Sequence, residues 1–300
     1  MSTRLRLRER TIDLRAGEPL LMGIVNASPE SFSDGGRVGG VEAQVERALA
    51  MRDDGADLID VGGESGVSDR PPVSADEEAA RVVPLVERLV AAGIVVSVDT
   101  WKASVARPAL AAGASMINDV SGLRDEGLAD ACAAYGAALV VMHTPVAPKQ
   151  KEFPGYGDVG AEVLSFLRER IELARSRGVG DEQLVVDPGP DFGKTPAETV
   201  EILRRLPELS ALGRPVLLAV SRKDFVGAIA ARPPAERLAG TLAGIAEGVD
   251  AGAAILRVHD VAAVSDFLAV RSTLRGEREL PAGLRLDPAL RREQDDAAWA

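Results

Sequence analysis

Residues 57 to 100 read DLIDVGGESGVSDRPPVSADEEAARVVPLVERLVAAGIVVSVDT. A short apolar run, DLIDVGG, gives way to a polar, turn-rich loop. The next segment, ADEEAARVVPLVERLVAAG, repeats its apolar residues at helical spacing and closes on Gly93, where a helix C-cap falls. A second apolar run, VVSVDT, then ends on a carboxylate, Asp99. Strands that are apolar on both faces and alternate with a helix predict a parallel pair covered by that helix.

The same unit recurs along the chain. Apolar, β-rich runs appear at LLMGIVN (20 to 26), SMINDVSG (115 to 122), ALVVMH (138 to 143), LVVDPG (184 to 189), PVLLAVS (215 to 221) and AILRVHD (254 to 260), making eight with the two above. Helical stretches such as VEAQVERALAMRDDGA, GAEVLSFLRERIELARSRG and PAERLAGTLAGIAEGVDAG lie between them. Eight such units in 300 residues predict a (β/α)₈ TIM barrel forming a single domain over residues 20 to 275. A doubly wound sheet is the alternative, weakened because no strand is followed by a G-x-G-x-x-G turn. Residues 1 to 19 read as an N-terminal extension or hairpin closing the barrel floor, and 276 to 300 as a polar C-terminal tail.

Composition narrows the function classes. Lysine and arginine number 35 against 46 acids, a net charge of −11, and no basic block stands out, which argues against nucleic acid or an anionic membrane as partner. No apolar segment is long enough to span a bilayer, so a soluble cytoplasmic protein is expected. The one cysteine, Cys132, sits in the alanine-rich ADACAAYGAA and reads as a small core residue in a reducing compartment. There is no G-x-S-x-G elbow, no H-E-x-x-H and no cysteine cluster, which leaves nucleophilic hydrolysis and a tightly held zinc without their parts.

In a barrel of this kind the strand exits face one mouth, where sites are built. The exits here carry Asn26, Glu64, Asp99, Asn118 with Asp119, His143, Asp187, the run Ser221, Arg222, Lys223, and Arg257 with His259 and Asp260. Any one has a bland alternative as a helix cap or turn residue. Eight polar exits in succession, with both histidines among them, favour a site. Asp99, Asn118, Asp187 and Lys223 suit the edge of a flat, nitrogen-rich heterocycle, where carboxylates receive N–H groups and an ammonium meets a carbonyl. Their bland alternative is a buried ion-pair network around Lys223. Asn26, Arg257 and His259 suit phosphate oxygens, and a hard cation such as Mg²⁺ fits beside Asn26. NASPESFSDGGRVGG, after the first barrel strand, reads as a mobile loop over the mouth.

The ordered segments MGIVNASPESFSDGG, IDVGGES, VSVDT, INDVSG, DPG followed by FGKT, SRK and RVHD resemble the signatures of the dihydropteroate synthase family, over residues 21 to 270. The resemblance implies condensation of 6-hydroxymethyl-7,8-dihydropterin diphosphate with p-aminobenzoate, giving dihydropteroate and diphosphate for folate biosynthesis, with Mg²⁺ as cofactor and a homodimer as the assembly. It implies a pterin pocket of Asp99, Asn118, Asp187 and Lys223. It places Phe32, Ser65, Arg70, Phe192, Ser221 and Arg222 around p-aminobenzoate, and Asn26, Arg257 and His259 around the diphosphate, with Asn26 on the metal. The residues expected to act on the reacting atoms are Asn26, Lys223, Arg257 and His259.

Three places depart from the family pattern. The family's loop after strand two reads E-S-T-R-P-G or a near variant, whereas this chain has Gly66 and Val67 at the threonine and arginine positions and Arg70 three residues later. Asp191 stands where the family has an apolar residue or glycine, and MHTPVAP lacks the family's glycine at the strand-five exit. With VDTWK and SRKD, these features are similar to the divergent second copy of actinobacteria, a pterin-binding paralogue without ordinary synthase activity, although SRK and DPG are intact.

Overall fold

The computed structural model describes residues 3–27, 40–65 and 71–291. All eight apolar runs are parallel strands of one sheet: β3 (Leu20–Asn26), β4 (Leu58–Gly62), β5 (Val96–Asp99), β6 (Met116–Asp119), β7 (Ala138–Met142), β8 (Leu184–Asp187), β9 (Leu217–Leu218) and β10 (Ile255–Val258). The sheet order is β8-β7-β6-β5-β4-β3-β10-β9. A parallel bridge between Val186 and Val216, with the Val186 N–H on the Pro215 carbonyl at 3.0 Å, joins its two edges. The expected (β/α)₈ barrel is thus observed, and closure removes the sheet edges that a doubly wound fold would leave open.

Helices follow each strand in turn: α1 (Val41–Asp53), α2 (Ala75–Ala91), α3 (Ala103–Ala111), α4 (Gly127–Tyr135), α5 (Val159–Ser176), α6 (Pro196–Arg204), α7 (Asp224–Ala230) with α8 (Leu238–Asp250), and α9 (Val261–Leu274). Helix α2 shows why the opening stretch folds as it does. Ser74 accepts the Glu77 N–H at 3.2 Å as an N-cap, three acids crowd the positive end of the dipole, and Val82, Leu85, Val86 and Leu89 lie buried on the sheet side. The PAERL start expected for α8 is instead a 3₁₀ turn at Pro234–Glu236, and the α-helix itself begins at Leu238.

At the amino ends of the strands, β1 (Thr3–Leu7) and β2 (Arg10–Leu14) form an antiparallel hairpin. Its Leu5, Leu7 and Leu14 join Met22, Leu58, Met116, Val140, Val185, Leu217 and Ile255 in one core cluster. Full burial of each leucine contributes about 1.5–3 kcal/mol, so the hairpin plugs the end opposite the mouth. Cys132 is buried, and burial pushes its thiol pKa up, so it is an inert core residue. The chain divides after Ser265, within α9, into a larger unit and a smaller one beginning at Asp266. No helix among the described residues is long and apolar enough to cross a membrane.

Candidate functional site

Backbone register builds the first part of the site. Across neighbouring strands Asn26 lies beside Gly62, Gly62 beside Asp99, and Asp99 beside Asn118. Gly62 sits between Asn26 and Asp99: a Cβ there would make ordinary contacts, 3.7 Å from the Asp99 Cβ and 3.8 Å from the Asn26 Oδ1. Strand register therefore brings three polar residues from three strands into one row.

Beneath this row lies a residue that sequence reasoning missed. Asp60, in the middle of β4, is fully buried, and its Oδ2 accepts from Arg257 Nε at 2.6 Å and from Asn118 Nδ2 at 3.0 Å. Arg257 also donates from Nη2 to Asp99 Oδ2 at 2.9 Å. The signal was a carboxylate inside an otherwise apolar strand, LIDVG, which a parallel sheet tolerates only when the charge is paired. The buried ion-pair network foreseen as the bland alternative thus exists, but its cation is Arg257 rather than Lys223. Asp60 also assigns the Asn118 amide: a carboxylate only accepts, so the Asn118 atom that meets it is Nδ2. Its other oxygen, Oδ1, is buried with no partner. Burial raises the Asp99 pKa to about 7; the Arg257 charge opposes this, and Asp60, Glu78 and Asp119 reinforce it.

Asp187 ends β8 and accepts the Gly189 N–H at 2.7 Å on Oδ1. Gly189 is left-handed (φ +65°), and a Cβ there would meet the His143 carbonyl oxygen at 2.1 Å, so the turn needs glycine. Burial raises the Asp187 pKa against the charges of Lys223, Lys194 and Arg257. Lys223 is lowered by burial, and its Nζ stands 4.3 Å from the centroid of the Phe192 ring, a cation–π contact. Phe192, Arg222 and Lys223 line a cavity of about 650 Å³ together with Trp101, Lys149 and Phe153. Although Arg222 lines this cavity, its guanidinium is clasped by Asp260 through contacts of 3.0 and 2.5 Å.

His259 and Ser221 form the third part. The Ser221 Oγ accepts the His259 backbone N–H at 3.2 Å and lies 3.0 Å from the His259 Nδ1. A hydroxyl carries one proton and two acceptor lone pairs, so the ring tautomer of His259 sets which of Ser221 Oγ and His259 Nδ1 donates to the other. Burial, with the charges of Arg257 and Arg222, lowers the His259 pKa to about 4, so the imidazole is a neutral donor at physiological pH. His143, by contrast, packs edge-on against Phe166 at 4.9 Å, and burial lowers its pKa to about 3. Asp119 is a turn residue, accepting from the Ser121 and Leu123 N–H groups at 2.8 and 2.5 Å.

Ser65 is half-buried just past β4, and Asn26 is exposed at the end of β3. Phe32 and Arg70 lie outside the described residues, as do Gly66 and Val67 and most of the NASPESFSDGGRVGG loop. The departure at Asp191 has a structural role: its Oδ2 accepts from the Asp224 and Phe225 N–H groups at 2.6 and 3.3 Å, capping α7 from the neighbouring connection. Lys194, quoted above only as part of FGKT, is 1% exposed and donates to the carbonyls of His143, Gly189 and Phe192 at 3.3, 2.9 and 3.1 Å.

Residues 22–259 match the profile of the pterin binding enzyme family. The dihydropteroate synthase of Bacillus subtilis (strain 168) is 43% identical over 244 residues, 81% of this chain and 84% of its own. The chain belongs to the dihydropteroate synthase family. Among solved structures, Xanthomonas albilineans dihydropteroate synthase with 4-aminobenzoic acid superposes with a TM-score of 0.85 at 44% identity, covering 94% of this chain and 100% of its own. The same enzyme in complex with 7,8-dihydropteroate gives a TM-score of 0.82, again at 44% identity, covering 93% of this chain and 100% of its own.

Proposed function

We propose that this family member is a working dihydropteroate synthase, joining 6-hydroxymethyl-7,8-dihydropterin diphosphate to p-aminobenzoate with release of diphosphate. The observation that carries the reading is the registered row of Asn26, Asp99 and Asn118 over the Asp60–Arg257 pair, opening beside a cavity that holds Phe192 and Lys223. Asp99 and Asp187 receive pterin N–H groups, and Lys223 donates to the pterin carbonyl. The acceptor-rich floor favours the cation formed as the C–O bond to diphosphate breaks, while the neutral His259 imidazole N–H and the cationic Arg257 favour the departing anion. The arylamine nitrogen then forms the new C–N bond and gives its proton to solvent or diphosphate. No enzymic nucleophile is required.

Mg²⁺ fits this arrangement. Asn26 offers a hard amide oxygen at the exposed end of β3, and no three His, Cys, Asp or Glu residues among those described cluster into a cage. A cation held by one amide, substrate phosphate and water is the Mg²⁺ pattern, and its charge would stabilise the leaving diphosphate. A homodimer in the cytoplasm belongs to the same reading, to be tested by sedimentation and fractionation.

Purified protein given both substrates and Mg²⁺ is expected to release diphosphate and form dihydropteroate, and to restore growth to a synthase-deficient strain in a sulfonamide-sensitive way. No product beside an active control enzyme would defeat the reading. Gly66 and Val67 favour a second one, a pterin-binding paralogue without synthase chemistry, which predicts saturable pterin binding and no rescue. Under the first reading, Gly66→Thr with Val67→Arg lowers the KM for p-aminobenzoate, because a hydroxyl and a guanidinium suit a carboxylate. An unchanged or higher KM counts against that assignment of the loop.

A further inference from the structure

Glu64, just past β4, sits at a meeting of three strand exits. Its carboxylate is 1% exposed and takes the Lys102 ammonium on Oε2 at 2.6 Å, the Lys149 ammonium on Oε1 at 2.8 Å and the Val73 N–H on Oε1 at 3.1 Å. Lys102, from the β5 exit, gives its other two donors to Glu78 Oε2 and the Val73 carbonyl, both at 2.7 Å. Lys149, from the β7 exit, also donates to the Pro71 carbonyl at 2.8 Å. Two carboxylates and two ammonium groups thus close a buried cluster in which either lysine, if lost, leaves excess negative charge. Lys149 also holds a left-handed backbone (φ +65°), a conformation that persists in a non-glycine residue where surrounding contacts enforce it.

We propose that Lys149 is a positioning residue for the arylamine substrate: it locks the β7 exit to the β4 exit through Glu64 and Pro71, and so fixes the cavity wall that faces Phe192 and Lys223. The inference rests on the synthase reading above. Lys149 lines the same cavity as Phe153, Phe192 and Lys223. The opposite end of the cluster reaches that cavity too, since the Lys102 Nζ lies 5.3 Å from the ring centroid of Trp101, another lining residue. The row of Asn26, Asp99 and Asn118 is held by strand register and by Arg257, so loosening the clamp should move the arylamine end and spare the pterin end.

Lys149→Met keeps the length and apolar stem of the side chain and removes its donors. It is expected to raise the KM for p-aminobenzoate about tenfold while kcat and the KM for the pterin diphosphate stay within about twofold. Lys149→Arg, which keeps both donations, should recover most of the loss. Equal rises in both KM values, or a fall in kcat alone, would overturn the proposal. Amide hydrogen exchange over residues 71 to 78 should accelerate in Lys149→Met, and unchanged protection would overturn the clamp itself. The exchange measurement and calorimetric titration with p-aminobenzoate need no turnover, so a wild-type protein lacking synthase activity would defeat the functional reading while these two still decide the clamp. If Lys149→Met fails to fold, Lys149→Gln, which loses the charge but keeps an amide donor, takes its place with a smaller rise in the KM for p-aminobenzoate and the same split between the two KM values.

Discussion

The floor of the mouth and the wall of the cavity are built by different means. On the floor, Asn26, Asp60, Asp99, Asn118 and Arg257 all belong to strands, and main-chain register places them. On the wall, Phe192, Arg222, Lys149 and Trp101 lie outside strands and helices, and cations bind the wall segments together: Lys194 to three carbonyls, Lys149 to the Pro71 carbonyl, Arg237 to the Arg222 carbonyl at 2.9 Å. The floor is as rigid as the barrel. The wall is only as rigid as its long side chains, each of which loses rotamer freedom to hold its place. Among the described residues, the departures from the family pattern, Asp191 and the MHTPVAP segment, fall on the wall and spare the floor, as expected if the heterocycle demands fixed geometry and the arylamine tolerates adjustment.

The sharpest way to break this contrast is Arg257→Leu. The substitution leaves Asp60 and Asp99 buried with no cation between them, which costs about 3–5 kcal/mol of stability and should abolish pterin binding. Urea denaturation and calorimetry check it, and a loss below about 1 kcal/mol would show that the strands alone hold the floor. The matching change on the wall is Lys194→Met. Three buried carbonyls lose their shared donor, an expected cost of roughly 2–3 kcal/mol, below the floor variant, with a raised KM for p-aminobenzoate because Phe192 is released. If the pterin KM rises equally, wall and floor are one unit.

The contrast also explains what the sequence made legible. The strands carried their own periodicity, and polar residues at their exits stood out because β-rich apolar runs led into them. Asp60 did not stand out, since nothing local says that its charge is met by Arg257, 197 residues away. Lys102 and Lys149 were equally silent, because a lysine in a connecting segment reads as a solvated charge until the fold brings Glu64 to it. Asp191 was visible only as a departure from pattern, and its purpose depends on where α7 begins.

Titration separates the floor's charge from its packing. The Asp99 pKa stands at about 7, raised chiefly by burial, above its ordinary value of 3.8. A carboxyl raised on folding contributes stability that is present below the unfolded pKa and lost as pH rises through the folded one. The empty protein should therefore lose stability from about pH 4 to about pH 7 and level off above it, while pterin affinity, which uses the ionised carboxylate as acceptor, should increase as pH rises toward 7. Asp99→Asn is expected to flatten both profiles. Parallel trends in stability and affinity would show that another group governs the mouth.

The smallest expected effect lies where the wall meets Lys223. Asp191 is left-handed (φ +65°), and its carboxylate caps α7, whose own N-cap residue, Lys223, makes no side-chain cap. Two contributions therefore oppose each other at this position. Removing the cap costs about 1 kcal/mol. Removing the Cβ relieves a left-handed penalty of about 1–2 kcal/mol, although glycine also enlarges the unfolded ensemble. Asp191→Gly should then come out within about 0.5 kcal/mol of wild type, because the gain and the loss offset. Asp191→Ala keeps the strained backbone, loses the cap and should fall about 1–2 kcal/mol below. Equal stabilities for the two variants would mean that the backbone relaxes without penalty. In both variants the Lys223 ammonium loses the helix start that holds it over Phe192, so turnover should fall even where stability does not.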